Sequence, residues 1–234
     1  MSRIKWENLF SFGIGAIFLA NLFFVVGSQP ANVQATTSVT KTLSSQATDL
    51  ITQAPEKQIP IMGKAHATKK QMVAYYQRNN SSYPYAGTNV PTIQDFVQTT
   101  IDEANYEGVR ADVAFALMMH ETGLLKFGRD VSPSQYNFGG IGATGGGVPG
   151  NSFPNPQIGI RAVVQHLKAY ATTAPLNRAA NNSKWETPYA DPRYNLVDKG
   201  SVPLVNGLGS GKWAVDQTYG ASLLNQINYM VSLK

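Results

Sequence analysis

The stretch Asp112-Val113-Ala114-Phe115-Ala116-Leu117-Met118-Met119-His120-Glu121-Thr122-Gly123, followed by Tyr136-Asn137-Phe138-Gly139-Gly140-Ile141, decides the reading of this chain. Residues 112–121 are apolar on nearly every side, the pattern of a helix buried in a domain interior. Asp112 suits an N-cap and Gly123 suits the stop. Glu121 falls at helical spacing from Ala114, Leu117 and Met118, so it shares their inward face. A carboxyl group there, opening on a cleft, is poorly solvated and holds its proton longer than usual. A general acid that protonates a leaving oxygen near neutral pH needs that property. The plainer alternative is a buried glutamate paired with Arg or Lys.

The sequence around this helix predicts three segments. In 1–35, Arg3 and Lys5 precede an uncharged run from Leu9 to Val26. That run is long enough for a signal-peptide core or a membrane anchor. The basic flank keeps the N-terminus in the cytoplasm and the remainder outside. Val33-Gln34-Ala35 resembles a signal-peptidase site, and cleavage is the preferred outcome. Residues 36–64, rich in Thr, Ser, Gln and Ala, read as a flexible linker. Residues 65–234 read as the functional domain, with secretion to the cell wall or anchoring to the outer face of the cytoplasmic membrane as the expected location.

Within 65–234, Thr68 caps a helix over Lys69–Arg78. Thr92-Ile93-Gln94-Asp95 opens a second helix, with Phe96, Val97, Thr100, Ile101 and Ala104 as its stripe and Gly108 at its end. Ile158–Ala171 is amphipathic, and a last helix is predicted from about Trp213 to Leu233. Tyr219, Leu223, Ile227 and Met230 share one face of it. Glycine-rich residues 128–160 are read as loops with a small β element near 136–153. The fold class is therefore mainly α with a small β lobe.

Composition removes several functions. The chain has no Cys, so disulfides and thiolate chemistry are absent. Its formal charge of +5 comes without any Lys/Arg-rich run interleaved with aromatics, so nucleic acid is not an expected partner. His120-Glu121-Thr122-Gly123-Leu124 begins like a zinc-protease helix, but Leu124 stands where the second histidine is needed. Gly140-Ile141-Gly142-Ala143-Thr144-Gly145 matches a dinucleotide fingerprint literally. Gly146, Gly147 and Pro149 follow it, and no helix can start there to meet a pyrophosphate. No serine sits in a nucleophile elbow. No metal or cofactor is expected.

From about Thr92 to the C-terminus the chain resembles the glucosaminidase domain of bacterial peptidoglycan hydrolases, the family 73 glycoside hydrolases. The likeness rests on Glu121-Thr122-Gly123, on Tyr136 to Ile141, and on the Tyr219-Gly220 helix. It implies a lysozyme-like fold, a monomeric catalytic domain, and peptidoglycan glycan strands as substrate, cut after N-acetylglucosamine. It implies Glu121 as general acid and Tyr219 beside the scissile bond, although the Tyr219 stripe also suits core packing. It implies that Tyr136, Asn137, Phe138, Gly140 and Ile141 line the cleft opposite the acid. Arg193, Tyr194 and Trp213 are candidates for a sugar platform, with ordinary loop structure the alternative. Asp130, Asp191 or Asp216, or the substrate's own acetamido group, is expected to supply the second catalytic function. Competing readings are a lytic transglycosylase or muramidase on a similar fold, and a non-catalytic wall-binding module.

Overall fold

The computed structural model describes residues 58–177 and 189–234. The predicted export segment and most of the predicted linker lie outside the described residues. Five α-helices carry the described chain: α1 (Lys69–Asn79), α2 (Ile93–Glu107), α3 (Ala111–Glu121), α4 (Pro156–Ala171) and α5 (Tyr219–Ser232). Short 3-10 turns occupy Pro133–Gln135, Tyr194–Leu196 and Val205–Leu208.

Helix α3 is the centre of the packing and touches α2, α4 and α5. Every residue from Ala111 to Met119 is buried, as its uninterrupted apolar sequence requires. Each large side chain removed from water there contributes about 1.5–3 kcal/mol, so packing rather than propensity holds this helix. Around it, α1 and α4 pack on α2, and α1 also meets α5. Phe96, Phe115 and Phe138 form edge-to-face contacts through this core, with Phe96–Phe138 centroids 5.0 Å apart.

The caps follow the sequence at most ends. Thr68 and Gln71 complete a capping box at α1. Thr92 accepts from the Asp95 amide at α2, and Gly108 ends that helix at φ 75°. Asp112 is not a cap. The N-cap is Arg110, and Asp112 is a buried residue of the first turn. Its carboxylate takes a two-pronged bond from Arg110 at 3.1 and 2.8 Å and also accepts from the His66 amide at 2.8 Å. The adjacent guanidinium outcompetes the capping geometry because a bidentate, charge-assisted pair is stronger than a single neutral bond.

Two expectations need correction. The linker does not extend to residue 64, because Ile59 and Ile61 are fully buried. The Ile61 amide donates to Pro203 O and its carbonyl accepts from the Arg110 amide, while Ile59 O accepts from Val205 N. Residues 59–63 are thus stitched between 203–205 and 108–110. No strand forms among the described residues, and the glycine-rich segment contains one isolated bridge, Gly145 with Val148. Positive φ at Gly140, Gly142, Gly145, Gly146, Gly147 and Gly150 breaks the extended backbone a hairpin needs. Mainly α is therefore the observed class.

Two buried ion pairs join α2 to α4. Arg161 meets Glu103 at 2.9 Å, and Lys168 meets Glu107 at 2.7 Å. Breaking either would strand a buried charge at a cost of about 3–5 kcal/mol.

Candidate active site

Glu121 is the last residue of α3 and is half-buried. Thr122 closes the helix, with its hydroxyl donating to Met118 O at 2.7 Å and accepting from the Leu125 amide at 2.9 Å. The chain then turns left-handed through Gly123, Leu124 and Leu125, with φ of 57°, 63° and 61°. Such a run costs about 1–2 kcal/mol for each non-glycine residue, so the surrounding contacts hold it. Asn80 supplies one of them, donating to Leu124 O at 2.8 Å. The helix therefore cannot continue past Glu121, and the carboxyl group is left at the edge of the core.

The Tyr219 hydroxyl donates to Oε1 of that carboxyl group. Burial pushes the carboxyl up from the usual glutamate range, and the Tyr219 bond, the nearby Trp213 and the Arg129 charge pull it back less strongly. The net result is a carboxyl group that keeps its proton to higher pH than an exposed glutamate. Tyr219 is itself held well above the ordinary tyrosine range by burial and by Glu121, so it remains a donor.

Tyr219 is packed in the core and also touches Glu121. Its ring is 3% exposed in the stripe with Leu223 and Ile227, while its hydroxyl reaches Glu121. The last helix begins at Tyr219 rather than Trp213. The Asp216 carboxylate accepts from the Thr218 amide at 2.7 Å and from its hydroxyl at 2.8 Å, a local turn that competes with helix. Those bonds hold the Asp216 carboxyl below its usual range. The irregular stretch frees Trp213 to lie over the 136–141 segment. A Cβ on Gly139 would come within 2.9 Å of Trp213 Cζ2, so only glycine fits beneath the indole.

The Tyr136–Ile141 stretch divides. Gly140 is beside the acid, since a Cβ there would lie 3.6 Å from Glu121 Oε2. Tyr136 is half-buried and tilts against Tyr85 at 5.6 Å. Asn137, Phe138 and Ile141 are buried and do not line a cleft through their side chains. The Asn137 amide donates to Ile141 O and Asn151 O and accepts from the Ile141 amide, each at 2.9 Å. A loop without a β ladder needs that side chain to satisfy its backbone.

Tyr194 is also buried, packed with Ala169 and Leu176 under the Lys199 ammonium, so its face is not free for a sugar. Arg193 is exposed, and its charge acts on Tyr170. Asp191 is buried, with one oxygen 2.7 Å from His166 Nδ1 and the other accepting from the Arg193 amide at 2.8 Å. Both oxygens are occupied, which removes it from the residues able to activate water. Asp130 is exposed and accepts from the Gly147 amide at 3.1 Å.

Sequence reasoning missed two neighbours of this site. His120 stands edge-on to the Tyr219 ring at 5.1 Å, with Nδ1 2.8 Å from Gln226 Nε2. Burial lowers its pKa from the ordinary histidine value. His166 stands edge-on to Trp213 at 4.9 Å. No spacing rule finds either contact, because each joins segments far apart in the chain.

The family model for Glucosaminidase, described as mannosyl-glycoprotein endo-beta-N-acetylglucosaminidase, matches residues 97–231. That is more than half of the sequence.

The chain belongs to this family.

A protein of Borreliella burgdorferi, described as an uncharacterized protein, is 44% identical over 131 residues. The alignment takes in 56% of this chain and 59% of that one, so the chain spans less than two thirds of its relative's length. No solved structure matches. The stretch matched to the glucosaminidase family contains Glu121, Gly140, Trp213 and Tyr219, the groups that meet in space. The family's description is that of an endo-beta-N-acetylglucosaminidase, a glycoside hydrolase.

Proposed function

We propose that the protein is an exported endo-β-N-acetylglucosaminidase that cuts the β-1,4 bond after N-acetylglucosamine in peptidoglycan glycan strands, with Glu121 as the general acid. One observation carries this reading: a half-buried carboxyl group, raised by burial and bonded by the Tyr219 hydroxyl, sits at the end of the central helix. Protonation of the glycosidic oxygen by Glu121 lets the sugar leave with an oxocarbenium-like centre behind. As that proton departs, the Tyr219 bond stabilises the new carboxylate, because hydrogen bonds to an ionised acceptor are the stronger kind.

The second function is assigned to the substrate's 2-acetamido oxygen. A protein nucleophile would stand about 5–5.5 Å from the acid and raise it further by like-charge repulsion. The charge acting on Glu121 is instead the cation of Arg129. This route returns a product of retained configuration. Residues 1–35 are assigned the export role, and the fold is assigned to the lysozyme-like group. Among the described residues no helix is long and apolar enough to cross a membrane.

The test is digestion of purified cell walls followed by mass spectrometry. Reducing N-acetylglucosamine ends are expected, with Glu121→Gln giving none. Ends of 1,6-anhydro-muramic type, or release by the Glu121→Gln protein, would overturn the assignment.

A further inference from the structure

Consecutive residues at the end of α3 are each held by α5. Glu121 accepts from the Tyr219 hydroxyl, and His120 Nδ1 lies 2.8 Å from Gln226 Nε2. Tyr219 and Gln226 stand two helical turns apart on α5, so they share one face of it. Two side-chain cross-links therefore run side by side between the helix that carries the carboxyl group and the helix that carries its donor. A third contact joins them, because the His120 ring stands edge-on to the Tyr219 ring at 5.1 Å and an interplanar angle of 88°.

The second cross-link is oriented from α1. The Tyr75 hydroxyl donates to Gln226 Oε1 at 3.2 Å. Tyr75 is itself buried, in edge-to-face contact with Phe115 of α3 at 6.5 Å and Tyr229 of α5 at 5.9 Å. With Oε1 bonded to Tyr75, the Gln226 amide nitrogen faces His120. An amide nitrogen only donates, so His120 Nδ1 is the acceptor and the ring proton is on Nε2. The imidazole is thus neutral and fixed in one orientation against Tyr219.

Tyr219 needs such a hold. It is the first residue of α5, and Thr218 before it makes no side-chain cap bond. An uncapped first turn carries unsatisfied amides and is where a helix frays. Burial keeps the Tyr219 ring inside, but the aim of its hydroxyl follows the register of α5 on α3. A hydrogen bond tolerates a shift of only about half an ångström.

We propose that His120 and Gln226 are positioning residues, a clamp that fixes α5 against the end of α3 and so keeps the Tyr219 hydroxyl on Glu121. For turnover this rests on the reading of Glu121 as the acid; for the titration of Glu121 it does not. Opening the clamp weakens the Tyr219 bond, which favours the ionised carboxyl, so the Glu121 midpoint rises.

The full chain is labelled with 13C at the glutamate carboxyl carbons, and the Glu121 signal is identified by its loss in Glu121→Gln. Its midpoint is followed against pH in the parent, His120→Ala, Gln226→Leu, Tyr219→Phe and the double variant His120→Ala/Tyr219→Phe. Melting temperature and hydrolysis of solubilised glycan strands are measured alongside. His120→Ala should raise the midpoint by about half a pH unit to one unit, and Gln226→Leu should raise it by less. In the Tyr219→Phe background His120→Ala should move it no further, because the bond through which it acts is gone. Turnover should fall by about tenfold in His120→Ala with KM changed little, as expected for a misplaced donor.

A lower melting temperature with an unmoved or lowered midpoint overturns the proposal. So does a shift that persists in the Tyr219→Phe background, since His120 would then act on Glu121 by another route. Should His120→Ala fail to fold, Gln226→Leu carries the same two criteria. If the midpoints behave as expected but the parent protein cuts no glycan, the proposed activity fails and the clamp stands.

Discussion

Replacing Gly139 with Ala tests the packing beneath Trp213. The added Cβ would sit 2.9 Å from Trp213 Cζ2 and 3.0 Å from Val163 Cγ2. Carbon atoms rest comfortably about 3.5–4.0 Å apart, so both contacts are short by more than half an ångström. Val163 is fully buried on α4 and cannot retreat, whereas the half-buried indole can. The methyl group therefore displaces the indole from its seat on Gly139, and overpacking of this kind costs about 1–3 kcal/mol. In a domain of this size that lowers Tm by roughly 3–10 °C, readable by circular dichroism or differential scanning calorimetry. Wall hydrolysis should fall alongside. In a Trp213→Ala background the same substitution should cost clearly less, because one of the two clashes is gone. Wild-type Tm and wild-type activity in Gly139→Ala would refute the placement of the indole.

Other outcomes follow from the same geometry. Tyr219→Phe keeps the buried ring but removes the donor that lowers the Glu121 pKa, so the descending high-pH limb of the rate profile should move to higher pH; an unmoved limb counts against the contact. Glu121 titrates higher when folded than when unfolded, so its contribution to stability is fullest at low pH and is lost as pH rises through the folded value. Glu121→Gln should therefore gain in Tm over the parent between about pH 4 and pH 8, and a flat difference across that span would contradict it. Asn137→Ala leaves the Ile141 amide without its partner, while the Ile141 and Asn151 carbonyls keep the Asn151 amide and Gln135 as donors. It should cost about 1–3 kcal/mol in urea unfolding, with a drop in activity as the 136–141 loop loosens.

Much of this was legible because the signals were local. Thr68, Thr92 and Gly108 mark helix ends by side-chain chemistry within four residues, and the unbroken apolar run before Glu121 announces a central helix. The 136–141 segment was legible as a place but not as a set of roles. Asn137 looks like a sugar-binding amide, yet its donors and acceptor are consumed by the backbone of a loop without a β partner. The same limit explains Asp112 and Asp191, each occupied by a cation or imidazole that composition alone cannot pair with it. Ile59 and Ile61 were hidden by polar neighbours, and they declare themselves only once residues 203–205 arrive to cover them. Trp213 was marked as an aromatic worth noting, but its place against Gly139 depends on the irregular stretch before Tyr219, which a helical pattern overran.

The seam at residues 59–63 has a mechanical consequence. Tension arriving along the chain from the residue-58 side is met first by backbone hydrogen bonds to 203–205 and 108–110 and by two isoleucines seated in the interior. Peeling that seam would expose the base of the central helix, around Arg110 and Asp112, while the far end that carries Glu121 lies a full helix length away. A domain pulled from residue 58 would thus yield at that side before the Glu121 end is disturbed.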